Sequence, residues 1–247
     1  MNRMLLSRAW SIIVMVMVMV MVMVMPGELP ADAADVEKGF VSMFDGKTLK
    51  NWSVMPAEAI KAWTVEKGMI VGDGDKGISY LVYAQHDIAD FELKFSYRLP
   101  GKGNSGVNIR AREDTTGRRD FQGYHADLGH VGIGKQVLGA WDFHTPGRRE
   151  HACFRGDRLV IDADDNPTVT RIEGAVMLEE IRKGDWNQAH VIARDNHFKF
   201  FINGKLSSEF IEHLASERRL ARGMIQLQLH DRGMFVHFKD LRIKILR

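Results

Sequence analysis

The sequence predicts an all-β sandwich of two antiparallel sheets. Three observations carry this. Several runs alternate apolar and polar residues with a period of two, turn formers recur about every ten residues, and no regular exchange of strands with helices is visible. The clearest run is 91–99. Phe91, Leu93, Phe95, Tyr97 and Leu99 fall on one face, and Glu92, Lys94, Ser96 and Arg98 on the other. Turn formers fill 100–106, after which Val107, Ile109 and Ala111 alternate with Asn108, Arg110 and Arg112. The two runs read as a hairpin around a Gly-rich loop, with Asn108 and Arg110 on its polar face.

The remaining elements follow in order. Residues 40–44 read as a first strand, closed by Asp45-Gly46-Lys47. Leu49 and Trp52 give an apolar patch. Runs 62–67 and 69–72 flank Gly68 as a hairpin, and 79–83 is a short strand. Residues 124–128 alternate again, with His125 and Asp127 on the polar side. The Gly-rich stretch 131–149 reads as a long loop or a short strand with excursions, and such a loop is often functional. A strand is expected around 159–161, before an acidic turn at 162–166. Strands at 186–194 and 197–202 lead to Asn203-Gly204, the strongest two-residue hairpin signal, so 205–210 should pair back. Residues 211–220 are the one stretch that reads as helical or irregular. Residues 224–230 alternate cleanly. The last strand, 235–246, shifts phase near Lys239-Asp240, which marks a β-bulge. The total is roughly a dozen strands at sandwich spacing.

The chain has 247 residues, 45% of them hydrophobic, enough for one large β-domain. The formal net charge is only +2 and no long basic run occurs, so nothing electrostatic points to nucleic acid. Cys153 is the single cysteine, which excludes an intrachain disulfide, and it reads as a small buried residue. At the N-terminus Arg3 and Arg8 precede an uncharged apolar run over 9–25. Pro26-Gly27 breaks the run and Ala31-Asp32-Ala33 fits a cleavage site. Residues 1–33 therefore read as a secretory signal peptide and 34–247 as the folded domain. The length of the run keeps an uncleaved membrane anchor as the alternative. A secreted or periplasmic location is expected.

Polar side chains of a particular kind share the outward phase of three runs. They are Asn108 and Arg110, then His125 and Asp127, then Gln226, Gln228 and His230. If the three runs are neighbours, their face holds directional donors and acceptors suited to sugar hydroxyls, with Trp141 or Tyr124 as an aromatic platform. His230 sits at a strand end before a turn, a place where a histidine can serve as an acid or base. No HExxH, CxxC or GxSxG motif occurs. The paired-carboxylate motif of jelly-roll glucanases is also absent, which argues against a two-carboxylate glycosidase. The 162–166 turn lacks EF-hand spacing.

The mature chain resembles the 3-keto-disaccharide hydrolase domain family, also described as 3-keto-glucoside 1,2-lyase / 3-keto-2-hydroxy-glucal hydratase. The resemblance covers about 39–246. Its matching pieces run from Gly39-Phe-Val-Ser-Met-Phe-Asp-Gly-Lys-Thr-Leu to Trp52, then over 63–72 and 90–93. Asn104-Ser-Gly-Val-Asn-Ile-Arg110, Gly123-Tyr124, Trp186-Asn187, Asn203-Gly204 and Gln228-Leu-His230 complete it. The resemblance implies a concanavalin A-like jelly roll. It also implies an enzyme that cleaves 3-keto-glycosides by removing the C2 proton, expelling the aglycone and adding water.

The chemistry implied by the resemblance needs a base, an enolate stabiliser and a leaving-group acid. By position, Arg110 is expected to bind the enolate or ketone, and His230, Asp127 and His125 to move protons. Asn104 is expected to hold a sugar hydroxyl, with Asn108, Tyr124, Trp141 and Gln228 also binding substrate. Many members carry Glu after the Gly-Tyr pair and Gln two places later, where this chain has His125 and Asp127. His125, Asp127 and His230 are the set that would ligate a divalent metal, the one cofactor left open. The implied partners are an oxidised sugar and a separate sugar 3-dehydrogenase upstream. The alternative is a non-catalytic carbohydrate-binding module on the same scaffold.

Overall fold

The computed structural model describes residues 37–134 and 136–246. The segment read as a signal peptide, 1–33, lies outside the described residues. Strands are numbered β1 to β17 along the chain. A ten-stranded sheet runs in the order β12 (Pro167–Arg171), β11 (Asp157–Ile161), β15 (Lys205–Glu212), β14 (His197–Ile202), β13 (Asn187–Arg194), β6 (Phe91–Arg98), β17 (Phe235–Ile245), β4 (Met69–Asp73) and β3 (Trp63–Glu66). β1 (Val41–Ser42) also pairs with β17. The seven-stranded sheet runs β10 (Ala152–Cys153), β9 (Trp141–His144), β8 (Phe121–Asp127), β7 (Gly106–Glu113), β16 (Met224–Leu229), β5 (Ser79–Tyr83) and β2 (Trp52–Met55). Of the strand pairs described, only β11 with β15 is parallel. This is a jelly-roll sandwich.

The apolar phases of the two sheets meet in one core. Its densest part is aromatic. Trp141, Tyr124 and Phe143 of the smaller sheet pack on Phe198, Phe200 and Phe210 of the larger. Phe198 and Phe210 stack at 4.2 Å between centroids, and Trp141 meets Phe210 edge-on at 5.3 Å. Cys153 is wholly buried here, and its thiol pKa is pushed up to about 12, mainly by burial.

Several sequence expectations stand as read. Asn203 and Gly204 both take positive φ, 49° and 82°, in the turn between β14 and β15. The register of β17 against β6 shifts between Lys239 and Arg242, at the expected bulge, where Asp240 has φ 55°. Two readings change. The runs 91–99 and 107–112 are not a hairpin. β6 pairs with β13 and β17, whereas β7 pairs with β16 and β8, so 99–105 carries the chain from one sheet to the other. Both runs keep their apolar phase inward, which is why the alternation alone looked like a paired ribbon. Of the two readings of 211–220, helical or irregular, the irregular one holds, but its first two residues belong to a strand. β15 extends to Glu212, and only a short 3₁₀ turn, Ser216–Arg218, follows. β12 has no alternating burial, since all five of its residues are exposed at the sheet edge. Among the described residues no helix is long and apolar enough to cross a membrane.

Candidate functional site

The outward face of the seven-stranded sheet carries the polar cluster. Register puts Gln226 of β16, Asn108 of β7, His125 of β8 and Asp142 of β9 side by side in one row. Directly opposite residues on a sheet face touch, and these do. Asn108 Nδ2 donates to Gln226 Oε1 at 3.2 Å, and Asn108 Oδ1 accepts from His125 Nδ1 at 2.7 Å. With the amides so oriented, His125 carries its proton on Nδ1 and leaves the Nε2 lone pair free. That nitrogen stands 3.6 Å from Asp127 Oδ1. A Cβ at Gly106 would overlap it, so only glycine there leaves the imidazole its place.

The next row, by the same registers, holds Tyr80 of β5, Gln228, Gly106 and Asp127. Gln228 Nε2 donates to Tyr80 Oη at 3.3 Å. Beyond it lie Asn104 and His230. Asp231 Oδ2 accepts from the Asn104 backbone N–H at 2.7 Å, and its other oxygen meets His230 Nδ1 at 2.7 Å. His230 is half exposed, so Nε2 of this Asp–His pair faces solvent.

Burial shapes the charge of this cluster. Asn108 and Gln226 are wholly buried, and His125 and Asp127 nearly so. Burial, reinforced by His144, holds the His125 pKa well below the usual imidazole value. His144 stacks on His125 at 4.9 Å and is hydrogen-bonded to Asp142 at 3.1 Å. Burial also lifts the Asp127 carboxyl well above the usual range. The Asp142 carboxylate adds to the rise, and a hydrogen bond with Asn104 opposes it. The pair thus sets an imidazole whose charged form is disfavoured beside a carboxyl whose charged form is disfavoured. Two groups whose environments push them toward opposite roles are the signature of acid–base work.

Three residues expected at this site are elsewhere. Arg110 lies at a bulge. The register of β7 against β8 shifts between Ile109 and Arg112, and Arg110 has φ 48°. The extra residue swings its guanidinium away from the polar row. It donates to the carbonyls of Ala89, Asp195 and Leu220 and to Asp90 Oδ1, and it lies over the Phe198 ring at 4.7 Å. With four donors committed and the side chain 2% exposed, it is a structural strut and not an enolate binder. Tyr124 and Trp141 are core residues, 0% and 1% exposed, so neither offers a ring to a ligand. Tyr124 belongs to the inward phase of β8. Its hydroxyl bonds Glu212 and accepts from the Leu220 N–H at 3.0 Å, while Arg148 pairs with Glu212 at 2.7 Å.

The structure brings together His125, Asp127, Asn108, Asn104, Gln228 and, at the rim, His230. Sequence reasoning missed Asp142 and His144, whose outward phase in β9 was hidden in a Gly-rich stretch. It also missed Gly106, Tyr80 and Phe121. Among the described residues no three His, Cys, Asp or Glu side chains stand in metal-holding geometry.

A jelly-roll sandwich with a buried band of amides, imidazoles and a carboxyl on one sheet face does not by its fold fix what it acts on. Comparison with known proteins narrows this. The model of the 3-keto-alpha-glucoside-1,2-lyase-like domain matches residues 39–244, and the chain belongs to that family of glycoside-processing domains. A 3-keto-disaccharide hydrolase of Bacteroides thetaiotaomicron is 33% identical over 103 residues, which is 38% of this chain and 33% of that protein's length. A crystal structure of a candidate glycosyl hydrolase from Parabacteroides distasonis superposes with TM-score 0.56 at 21% identity, covering 85% of this chain and 94% of that one. A carbohydrate-binding module from Bacillus subtilis superposes with TM-score 0.50 at 14% identity, covering 78% and 95%. The last two likenesses are of fold.

Proposed function

We propose that this protein cleaves 3-keto-glycosides by elimination and hydration on the outward face of the seven-stranded sheet. The observation that carries the reading is the buried His125–Asp127 pair, 3.6 Å apart, with the imidazole pKa held low and the carboxyl pKa held high. A C3 ketone makes the neighbouring C2–H acidic. His125 Nε2 takes that proton, and the C–H electrons move into an enolate. Collapse of the enolate restores the ketone and breaks the C1–O bond. Asp127 gives its proton to the departing oxygen. Water then adds at C1 and a proton returns to C2, which releases the 3-keto sugar. Asn108 fixes the His125 tautomer, the role of a positioning residue. The solvent-facing His230–Asp231 pair is suited to activating the water.

The family assignment and the relative named as a 3-keto-disaccharide hydrolase support the substrate class. The ketone implies a separate sugar 3-dehydrogenase upstream. The sequence of the first 33 residues supports secretion or a periplasmic location. A carbohydrate-binding module remains the second reading, favoured by the half-exposed Tyr80 ring beside Gln228.

The test offers the purified protein a 3-keto-disaccharide and, separately, the unoxidised disaccharide. Release of product and deuterium uptake at C2 are followed in heavy water, with and without chelator and added divalent metal. Cleavage is expected for the keto sugar alone, with exchange at C2. His125→Gln and Asp127→Asn should each lower kcat by about 10²–10⁴. Binding without cleavage or exchange under every metal condition would move the protein to the binding-module reading.

A further inference from the structure

The polar row on the seven-stranded sheet faces outward, yet Asn108 and Gln226 are wholly buried. Two aromatic rings also stand on this face. Tyr80 and Phe121 meet edge-on with centroids 5.5 Å apart. They stand on β5 and β8, and β16 and β7 lie between those strands in the sheet. Tyr80 shares the outward phase of Gln228, its register partner, and Phe121 shares that of His125 and Asp127. Strands with two others between them are three spacings, about 14 Å, apart. The rings touch only by reaching toward each other across the outward face of β16 and β7. Asn108 and Gln226 are a facing pair of those two strands, and Gln228 Nε2 donates to the Tyr80 hydroxyl.

Two polar atoms on β16 have no partner. They are Gln226 Nε2, a donor, and Gln228 Oε1, an acceptor, both buried. A buried unmet amide is costly and is usually explained by a ligand or a water. The two residues are two apart on β16, so both amides rise from one face of one strand about 7 Å apart. A donor and an acceptor at that separation match hydroxyls on opposite edges of one pyranose ring. The rings above them match its C–H face.

Resting on the keto-glycoside reading, we propose that Tyr80 and Phe121 form an aromatic gate that parts to admit one pyranose ring, which Gln226 Nε2 and Gln228 Oε1 then hold by its hydroxyls. The aromatic surface sought at Tyr124 and Trp141 is supplied by this pair instead. The gate lies between the outer strand β5 and the acid–base strand β8, so the admitted ring comes to rest on the side of Asn108 away from Asp142. Gln226→Glu tests the donor alone. It keeps the oxygen that accepts from Asn108 and turns the unmet N–H into an acceptor.

The experiment uses the full chain, methyl 3-keto-α-glucoside and methyl α-glucoside. Binding is followed by the nuclear Overhauser contact between the Tyr80 and Phe121 rings, and turnover by KM and kcat. Saturation is expected to abolish the inter-ring contact. Tyr80→Ala and Gln226→Glu should each raise KM about 10-fold with a smaller change in kcat, the loss of one ring contact or hydrogen bond. Tyr80→Phe should restore KM. An inter-ring contact that persists in the saturated complex, or KM values unmoved in both variants, overturns the gate while leaving keto-glycoside cleavage standing. Sugar binding that opens the gate without cleavage supports the gate and defeats the enzymatic reading. No binding of either glucoside defeats both.

Discussion

The two sheets share one core and differ on their outward faces. The ten-stranded sheet shows solvent an ordinary charged surface. Lys94 pairs with Glu37, His190 with Glu92, and Lys244 with Glu92. A cavity of about 210 Å³ opens there, lined by Lys94, His190, Asp240 and Arg242 among others. Most of that lining is committed. Ser96 donates to Asp240 at 2.9 Å, and Glu37 is shared between Lys94 and Arg242. The seven-stranded sheet instead buries amides, two imidazoles and a carboxyl, and two amide atoms stay unmet. The difference teaches that an open cavity is a poor guide to chemistry in this fold. Desolvated polar groups with unspent hydrogen-bonding capacity are the better one.

The strongest test of this contrast separates strut from site. Arg110 has charge and position that invite a catalytic role, yet its donors are spent within the fold. Arg110→Met should destabilise the protein by about 3–5 kcal/mol, because Asp90 and three carbonyls lose their partner in a buried setting. Trp141→Ala should cost a similar about 3–5 kcal/mol through the cavity it leaves among Phe198, Phe200 and Phe210. Denaturant unfolding measures both. Below the unfolding transition, the fraction that remains folded should keep its turnover. An Arg110→Met protein with unchanged stability and lost turnover would return Arg110 to the active site.

Much of the fold was legible in the chain, for a physical reason. A sandwich buries one phase of every strand, so period-two runs give strands and inward faces directly, as 91–99 and 224–230 show. Pairing was not legible. β6 and β7 are consecutive and both alternate, but alternation does not say which strand supplies the hydrogen bonds. At the site, His125, Asp127, Asn108 and Gln228 followed from the outward phase. Arg110 failed because one extra residue at a bulge reverses the phase, and only its positive φ reveals it. Tyr124 and Trp141 failed because each ring was judged by its chemistry, when the phase of β8 already turned Tyr124 inward. Tyr80 and Phe121 could not be paired from sequence, since their contact spans four strands of a sheet whose order the chain does not spell out.

A second test turns on pH. The folded His125 pKa lies well below that of the unfolded chain, because burial and then His144 disfavour the imidazolium, with His230 and Arg119 adding to this and Asp142 opposing it. Below about pH 6.5 the unfolded state therefore binds a proton that the folded state refuses. Stability should rise with pH through that window, by up to about 1.4 kcal/mol per unit, and flatten above it. His190 and His237 are also held low by burial and contribute with the same sign. His125→Gln should reduce the slope of unfolding free energy between pH 5 and 6.5 without abolishing it. Asp127 works in the opposite sense. Its raised folded pKa makes stability fall as pH climbs above the unfolded carboxylate value, so Asp127→Asn should relieve a loss on the neutral side. An unchanged slope in His125→Gln would mean that the imidazole is solvated and the polar face open.

The smallest expected effect lies on the other sheet. Glu92 accepts from His190 at 3.0 Å and meets Lys244 at 3.5 Å, with about a fifth of its side chain exposed. The contacts look as close as those around His125, but water reaches them. Burial and the nearby Lys94 keep His190 low, so its bond to Glu92 joins a neutral donor to a carboxylate at a wetted surface. Such pairs are worth about 0–1 kcal/mol, and screening by salt lowers this further. Glu92→Gln keeps the acceptor oxygen for His190 and removes only the charge. It should shift stability by less than about 1 kcal/mol and leave KM and kcat for a keto-glycoside unchanged. A loss of turnover in Glu92→Gln would place function on the ten-stranded face and undo the distinction between the two sheets.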